Sequence, residues 1–484
     1  MNDSMETVPP GILAHGLLFS LQQRIDKTPL NNKSENDKEL VMTKRIIFSL
    51  LALALIGSPA AAQNQSLTSF KDSVGDHIYY QHDGSSGGPN NLDLFQIAPT
   101  LPWSGDMNQL SRGCNTPPEL GFWPPAGSPL ASFTDGFGQH VLYLDNKMHV
   151  RDLEYNGSCS NLDLTALASL LPPLPPSDGM SLAAFSDASG EHAYYTAVDG
   201  HIHHLLYLGR AVMAHQDLTA MAGLTVSSPC GNRMGPLTAF ADARSQPTIE
   251  LVYYVGSDDL CELAWYQGRE QSFDLTAMCG GGCGSGAPHP LVVNVLADSF
   301  GGPLSGFADA GGQNVFYLDN AQHVHQFLAG PNGLSTMDLT DAFDGNPAVA
   351  DSLTSFSNAF GAQVFYVDAS QHVNQIRFFP LIAQVTPSPG GVHQDLTALF
   401  GGALTLPARQ TPCAPAVASP GTSLSSISFD DKKGEDVFYV GTDRHVWELH
   451  SSDGFTWSSF DLTLNYGGTA TFGTVTAAPC GIIG

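Results

Sequence analysis

Two places in the sequence set a carboxylate close to an indole. Glu448 directly follows Trp447 and stands nine residues before Trp457, and Glu262 precedes Trp265 by three. A carboxylate accepts hydroxyl donors in charge-assisted hydrogen bonds, and an indole face covers apolar C–H surface, so such pairs suit a polyhydroxylated ligand. The competing use is packing, with Trp457, like Trp103, wedged between neighbouring sheets and each Glu at a solvated strand end. A second set is His149, His201, His323, His372 and His445, each followed by a β-branched residue. These can hydrogen-bond to a neighbouring repeat, as most such histidines do, or touch ligand, His445 beside Trp447 being the best placed. One ion shared by several repeats is the weakest reading, because ligand bonds near 2 Å cannot reach across them. No metal site and no other cofactor is expected.

Asp-Leu-Thr recurs at Asp163, Asp217, Asp274, Asp338, Asp395 and Asp461, with Asp106-Met-Asn108 as a variant. Its reading is structural, since Asp and Thr side chains take local backbone N–H groups and the residues after it, such as Thr165-Ala-Leu-Ala168, look like a capped helical turn. The segment Ser451-Ser-Asp-Gly-Phe-Thr-Trp457 approaches a sialidase-type Asp box but lacks the residue between Asp and Gly. It is read as chance.

These residues recur because the chain is a repeat. Seven segments open with Leu-x-x-Phe or a looser form of it: Leu67–Phe70, Leu130–Phe133, Leu182–Phe185, Leu237–Phe240, Leu304–Phe307, Leu353–Phe356 and Leu424–Phe429. An aromatic strand follows each, as in His77-Ile-Tyr-Tyr80 and Asp436-Val-Phe-Tyr439, then a short turn, the His-Val strand and the Asp-Leu-Thr closure. The closing Asp residues lie 54 to 66 residues apart. Four short strands per unit of that length is the pattern of a propeller blade, whereas sandwich domains need about 100 residues each. Strand 2 is apolar on both faces, which suits a sheet held between neighbours. The expected fold is all-β, a seven-bladed β-propeller of four-stranded antiparallel blades, over residues 63–484.

The residues before it read as a leader. Lys44 and Arg45, the apolar run Ile46 to Ile56 and the small residues up to Ala62 describe a secretory signal peptide at 42–62, too short for a membrane span of about 20 residues. Residues 1–41 are read as a mis-annotated or disordered extension, with translation starting at Met42. The protein is therefore expected to be secreted, extracellular or periplasmic. Of the 484 residues, 46 are acidic and 19 basic, for a formal charge of -27. Six of each sign fall in 1–62, so all of the net charge belongs to the exported part. That excess excludes nucleic acid and anionic membrane, which require clustered Lys and Arg. With 42% apolar residues and 26 Phe the chain is globular, not disordered. Export makes the eight cysteines, Cys114, Cys159, Cys230, Cys261, Cys279, Cys283, Cys413 and Cys480, candidates for disulfides, with the pairing open.

The order of aromatic strand, turn, His-Val strand, Trp-containing strand and Asp-Leu-Thr over 66–484 resembles the fucose-binding β-propeller lectins, the six-bladed fungal fruit-body lectins and the seven-bladed bacterial lectins. In the fungal lectins a sugar sits between blades, held by an Arg on the second strand, a Glu on the third and an aromatic ring. The resemblance implies a multivalent lectin whose Glu position is kept at Glu262 and Glu448, becomes Asp152 in the second repeat, and is His204, Gln326 or Gln375 elsewhere. At the Arg position stand His77, His140, His192, Glu250, Asn314, Gln363 and Asp436, and no Arg. The expected partners are glycans or glycoconjugates, and the candidate contacts are Glu262, Trp265, His445, Trp447, Glu448 and Trp457. The alternatives are a cell-surface or protein-interaction scaffold without a sugar site, and a propeller glycosidase or lyase. The enzyme requires a unique carboxylate pair breaking the repeat, and none is evident.

Overall fold

The computed structural model describes most of residues 67–466, leaving out chiefly the linkers 83–90, 98–102, 107–123, 169–174, 280–302, 380–390 and 401–417. The extension, the signal segment, Cys114, Cys283, Cys413, Cys480 and the tail after Tyr466 lie outside the described residues, as do the side chains of Trp103, Cys159 and Cys279. The chain divides into Met1–Ile56 and Gly57–Gly484, and every element below belongs to the second unit. Among the described residues no helix is long and apolar enough to cross a membrane.

The unit is an all-β propeller with four-stranded antiparallel blades. Its sheets span residues 67–106, 130–163, 177–217, 234–274, 305–338, 348–395 and 424–461, and are numbered 1 to 7 here. Each is built from four consecutive strands paired in chain order. The doubly apolar second strand explains the stacking. In sheet 7, Val437 and Tyr439 pack with Phe365 and Val367 of sheet 6, while Phe438 on the other face packs with Leu67, Ile78 and Tyr80 of sheet 1. Comparable clusters lie between sheets 1 and 2, 2 and 3, 3 and 4, 4 and 5, and 5 and 6.

Between the Leu and Phe of the opening motif sit small hydroxyl residues that join neighbouring first strands. Thr68 meets Ser132 at 2.8 Å, Ser305 meets Ser355 at 2.8 Å, Thr354 meets Ser426 at 2.9 Å and Ser425 meets Ser69 at 2.7 Å. These buried and half-buried hydroxyls satisfy one another, which permits close approach without leaving polar groups orphaned.

The Asp-Leu-Thr closure does three things at once. In sheet 7, Asp461 Oδ1 accepts the N–H of Leu464 and caps the turn Leu462–Tyr466, and Thr463 Oγ1 accepts the N–H of Val446 at 2.9 Å. Asp461 Oδ2 lies 2.7 Å from His445 Nδ1. The same His–Asp contact occurs at His149–Asp163, His201–Asp217, His323–Asp338 and His372–Asp395, between 2.7 and 3.0 Å. The strand-3 histidines thus hydrogen-bond to the closing Asp of their own sheet, not to a neighbouring blade as expected. The residue before each His has left-handed backbone, Met148, Gly200, Gln322, Gln371 and Arg444, at φ from 62° to 80°. That turn geometry brings the His beside the fourth strand.

Candidate functional site

Pairing registers locate the second-strand position considered above. The residue opposite the motif Phe is His77, His140, His192, Asn314 and Gln363, with Asp436 opposite Ile427. In sheet 4 that residue is Leu251, opposite Phe240, and not Glu250. A shift of one residue on a strand turns the side chain to the other face. Glu250 therefore reaches back toward sheet 3, where it accepts the Tyr194 hydroxyl at 2.9 Å.

The polar side chains at this position are buried, and most hydrogen-bond inside their own sheets, although the buried His77 Nδ1 has no partner among the described residues. His140 Nδ1 lies 3.0 Å from Asp152 Oδ2, Asn314 accepts from Gln326 at 2.7 Å, and Gln363 accepts from Gln375 at 2.8 Å. Each also contacts an Asp or Asn two residues after the motif Phe: His77 meets Asp72, His140 meets Asp135, His192 meets Asp187, Asn314 meets Asp309, and Gln363 meets Asn358. This Phe-x-Asp signal recurs in the sequence and was not among the expected site residues. His77, His140 and His192 stack on Phe70, Phe133 and Phe185. A residue from the next sheet then meets two of the Asp residues at this Phe-x-Asp place. Gln139 donates to Asp72 at 2.7 Å and Gln313 donates to Asp242 at 3.0 Å.

Because neighbours on a strand face opposite ways, the carboxylate–indole pairs read from the sequence separate. Trp447 and Trp457 join the cluster between sheets 6 and 7, where Trp447 donates its indole N–H to Asp443 and Trp457 meets Phe365 edge-on at 6.1 Å. Glu448 sits opposite Phe438 on the other face, 8% exposed, beside Asp436. Burial and the Asp436 carboxyl push its pKa well above the usual range. His445 is held by Asp461. Glu262, also 8% exposed, faces Tyr253, and burial pushes its pKa up to about 7. The solvated strand end proposed for each Glu is thus replaced by a buried carboxyl. Trp265 faces the opposite way from Glu262, toward sheet 3.

There Trp265 borders a narrow recess of about 10 Å³ between sheets 3 and 4, lined also by Tyr194, His204, Leu218, Glu250 and Glu270. The cross-strand partners of Trp265 are Glu250 and Glu270, so a half-buried indole stands with a carboxyl on either side. Neither buried oxygen of Glu270 has a hydrogen-bond partner among the described residues. Burial, with Asp217 adding to it, pushes the pKa of Glu270 up to about 8, so near neutrality it is largely a protonated acid that both donates and accepts. His192 is driven to about 9: burial opposes its charge, but the Asp187 and Glu250 carboxylates outweigh that. His204, lowered to about 4 by burial and the neighbouring His192, stays neutral and lies 3.0 Å from His192 Nδ1. The recess thus combines an aromatic face, an ionised and a neutral carboxyl, and a neutral imidazole.

One disulfide is described, Cys230–Cys261, tying the linker after sheet 3 to the third strand of sheet 4. The sequence leaves this pairing open.

No protein-family model matches the sequence, and no curated protein sequence does. Among solved structures the chain is similar to a lectin from Burkholderia pseudomallei, at 12% identity over 83% of this chain and 98% of that one, with a TM-score of 0.47. It is also similar to AofleA from Arthrobotrys oligospora, at 13% identity over 70% and 86%, TM-score 0.41. A third neighbour is the six-bladed β-propeller lectin of Aleuria aurantia, described with a fucose recognition mode, at 15% identity over 68% and 92%, TM-score 0.38.

Proposed function

We propose that this protein binds carbohydrate, and does so in the recess between sheets 3 and 4. The observation that carries the reading is the half-buried Trp265 flanked by Glu250 and by a Glu270 carboxyl without a hydrogen-bond partner among the described residues. A sugar hydroxyl entering the recess beside the indole would reach both carboxyls and give Glu270 the hydrogen bonds it lacks among the described residues. A glycan array with the mature chain tests this. Binding competed by a free monosaccharide, lost in Trp265→Ala and weakened at least tenfold in Glu270→Ala, supports the site; wild-type binding that survives Trp265→Ala refutes it.

The arrangement around the site belongs to the same proposal. The sheets close as one ring of seven blades, a reading supported by the Ser69–Ser425 contact and by the cluster joining sheets 7 and 1. Multivalent binding at every blade boundary has less support, because Gln139 and Gln313 cover two of the corresponding positions. The same observation favours a second reading, a protein-interaction scaffold, and the absence of glycan binding on the array would leave that reading ahead. Secretion follows the signal segment at 42–62, and mass spectrometry of the mature N-terminus near Gln63 checks it.

A further inference from the structure

Sheet 3 carries His-Ile-His at the start of its third strand. His201 and His203, two residues apart, share a face. His201 Nδ1 lies 2.8 Å from Asp217 Oδ2, and His203 Nε2 lies 3.2 Å from Asp199 Oδ2. Asp217 is directly opposite His203 in the sheet. One ligand atom from each of the four residues falls within 4.8 Å of all the others. Tetrahedral coordination with bonds of about 2.0–2.2 Å places ligand atoms about 3.3–3.6 Å apart, so the widest edges close by about 1 Å on binding.

The corresponding place in other sheets shows what it demands. In sheet 2 the second His is replaced by Arg151, whose Nε is 3.0 Å from Asp145 and whose Nη2 is 3.1 Å from Asp163. A fixed cation there joins the carboxylate of the turn to the carboxylate of the closing Asp. In sheet 7 the residue is Trp447, which donates to Asp443. Sheet 5 repeats the His-x-His form: His323 lies 2.8 Å from Asp338, and His325 lies 3.1 Å from Asp319 and 3.9 Å from Asp338. Where Arg gives way to His, two carboxylates face imidazole nitrogens with lone pairs, a donor set that suits divalent transition metals.

Second contacts in sheet 3 orient these donors. His203 Nδ1 is 2.9 Å from His215 Nε2, so a proton on Nδ1 leaves the Nε2 lone pair on the carboxylate side. Asp217 Oδ1 is occupied by the Ala220 N–H, which leaves Oδ2 for the site. In sheet 5 the register place of His215 is held by Thr336, which cannot hold an imidazole in this way.

We propose that Asp199, His201, His203 and Asp217 form a divalent transition-metal site of the zinc type, with a weaker copy at Asp319, His323, His325 and Asp338. Distance argues against one ion shared between repeats, but all four ligands here belong to a single sheet. The site is reached from solvent at Asp199 and does not depend on the glycan reading.

The test is titration of the tag-free, chelator-stripped mature chain with zinc chloride by calorimetry, with metal content checked by mass spectrometry. The expected result is two zinc ions per chain. His203→Arg, the residue sheet 2 already accommodates, removes the tighter one, and adding His325→Arg removes the other. His215→Ala weakens the tighter site about tenfold and keeps the stoichiometry. A single zinc lost in His203→Arg still supports the sheet 3 site. The absence of saturable zinc binding, or zinc retained unchanged in His203→Arg, overturns the proposal; Asp199→Asn replaces that variant if it fails to fold.

Discussion

Replacing Glu262 by Gln is expected to stabilise the protein at alkaline pH and to change little in acid. Tyr253 has one hydroxyl proton, and Gln313 Oε1 at 2.9 Å takes it. Gln313 in turn donates to Asp242, so Tyr253 has no second proton to give, and a donor at Glu262 requires its protonated form. Burial raises its pKa from the ordinary 4.5 to about 7. Between those values the native state holds a proton that the unfolded chain has released, so stability falls as pH rises through the window and is constant above it. The shift corresponds to at most about 3 kcal/mol at pH 8 and to almost nothing below pH 4.5. Gln keeps a donor toward Tyr253 and carries no titration, so the variant escapes the loss. Urea unfolding of both proteins at pH 4.5, 6 and 8 reads the difference directly. If the advantage of Glu262→Gln does not grow with pH, or if the variant is less stable at pH 8, the carboxyl of Glu262 titrates in the ordinary range in the folded protein and the argument fails.

Thr463→Val leaves the buried N–H of Val446 without its acceptor and is expected to cost about 1–3 kcal/mol in denaturant unfolding; an unchanged midpoint would count against the structural role of the closure. Reducing Cys230–Cys261, or replacing both residues with Ser, opens a loop with a sequence separation of 31 and is expected to cost roughly 3–4 kcal/mol, visible as a lower melting temperature; no change on reduction would refute the linkage. Trp457→Ala is expected to cost about 3–5 kcal/mol and to leave glycan affinity unchanged while folded, because its indole packs at 6% exposure between sheets 6 and 7; affinity lost without stability would place it at a ligand instead.

Repetition made the sheets legible. Leu-x-x-Phe, the doubly apolar second strand and Asp-Leu-Thr each recur at matching places, and each has a local physical cause: burial on both faces for the strand, and backbone N–H capping for Asp and Thr. The candidate site was legible only in part. Trp265 was identified, but its partners Glu250 and Glu270 come from the strands beside it, and Glu250 was assigned one residue out of register. Trp447 and Glu448 are adjacent in sequence and face different neighbours.

The sequence by itself determined that this chain is a repeat of four-stranded antiparallel units closed by Asp-Leu-Thr, since strand periodicity and turn chemistry act within a few residues of one another. Only the tertiary structure decided which polar residues are consumed and which remain available. His140 and Gln363 satisfy themselves across their own sheets, whereas Glu270 meets a boundary between two sheets where nothing described pairs with it. The reason is physical: hydrogen-bond satisfaction at a sheet boundary depends on which face of each strand meets the next sheet, and that is set by register and stacking over tens of residues, not by any local motif.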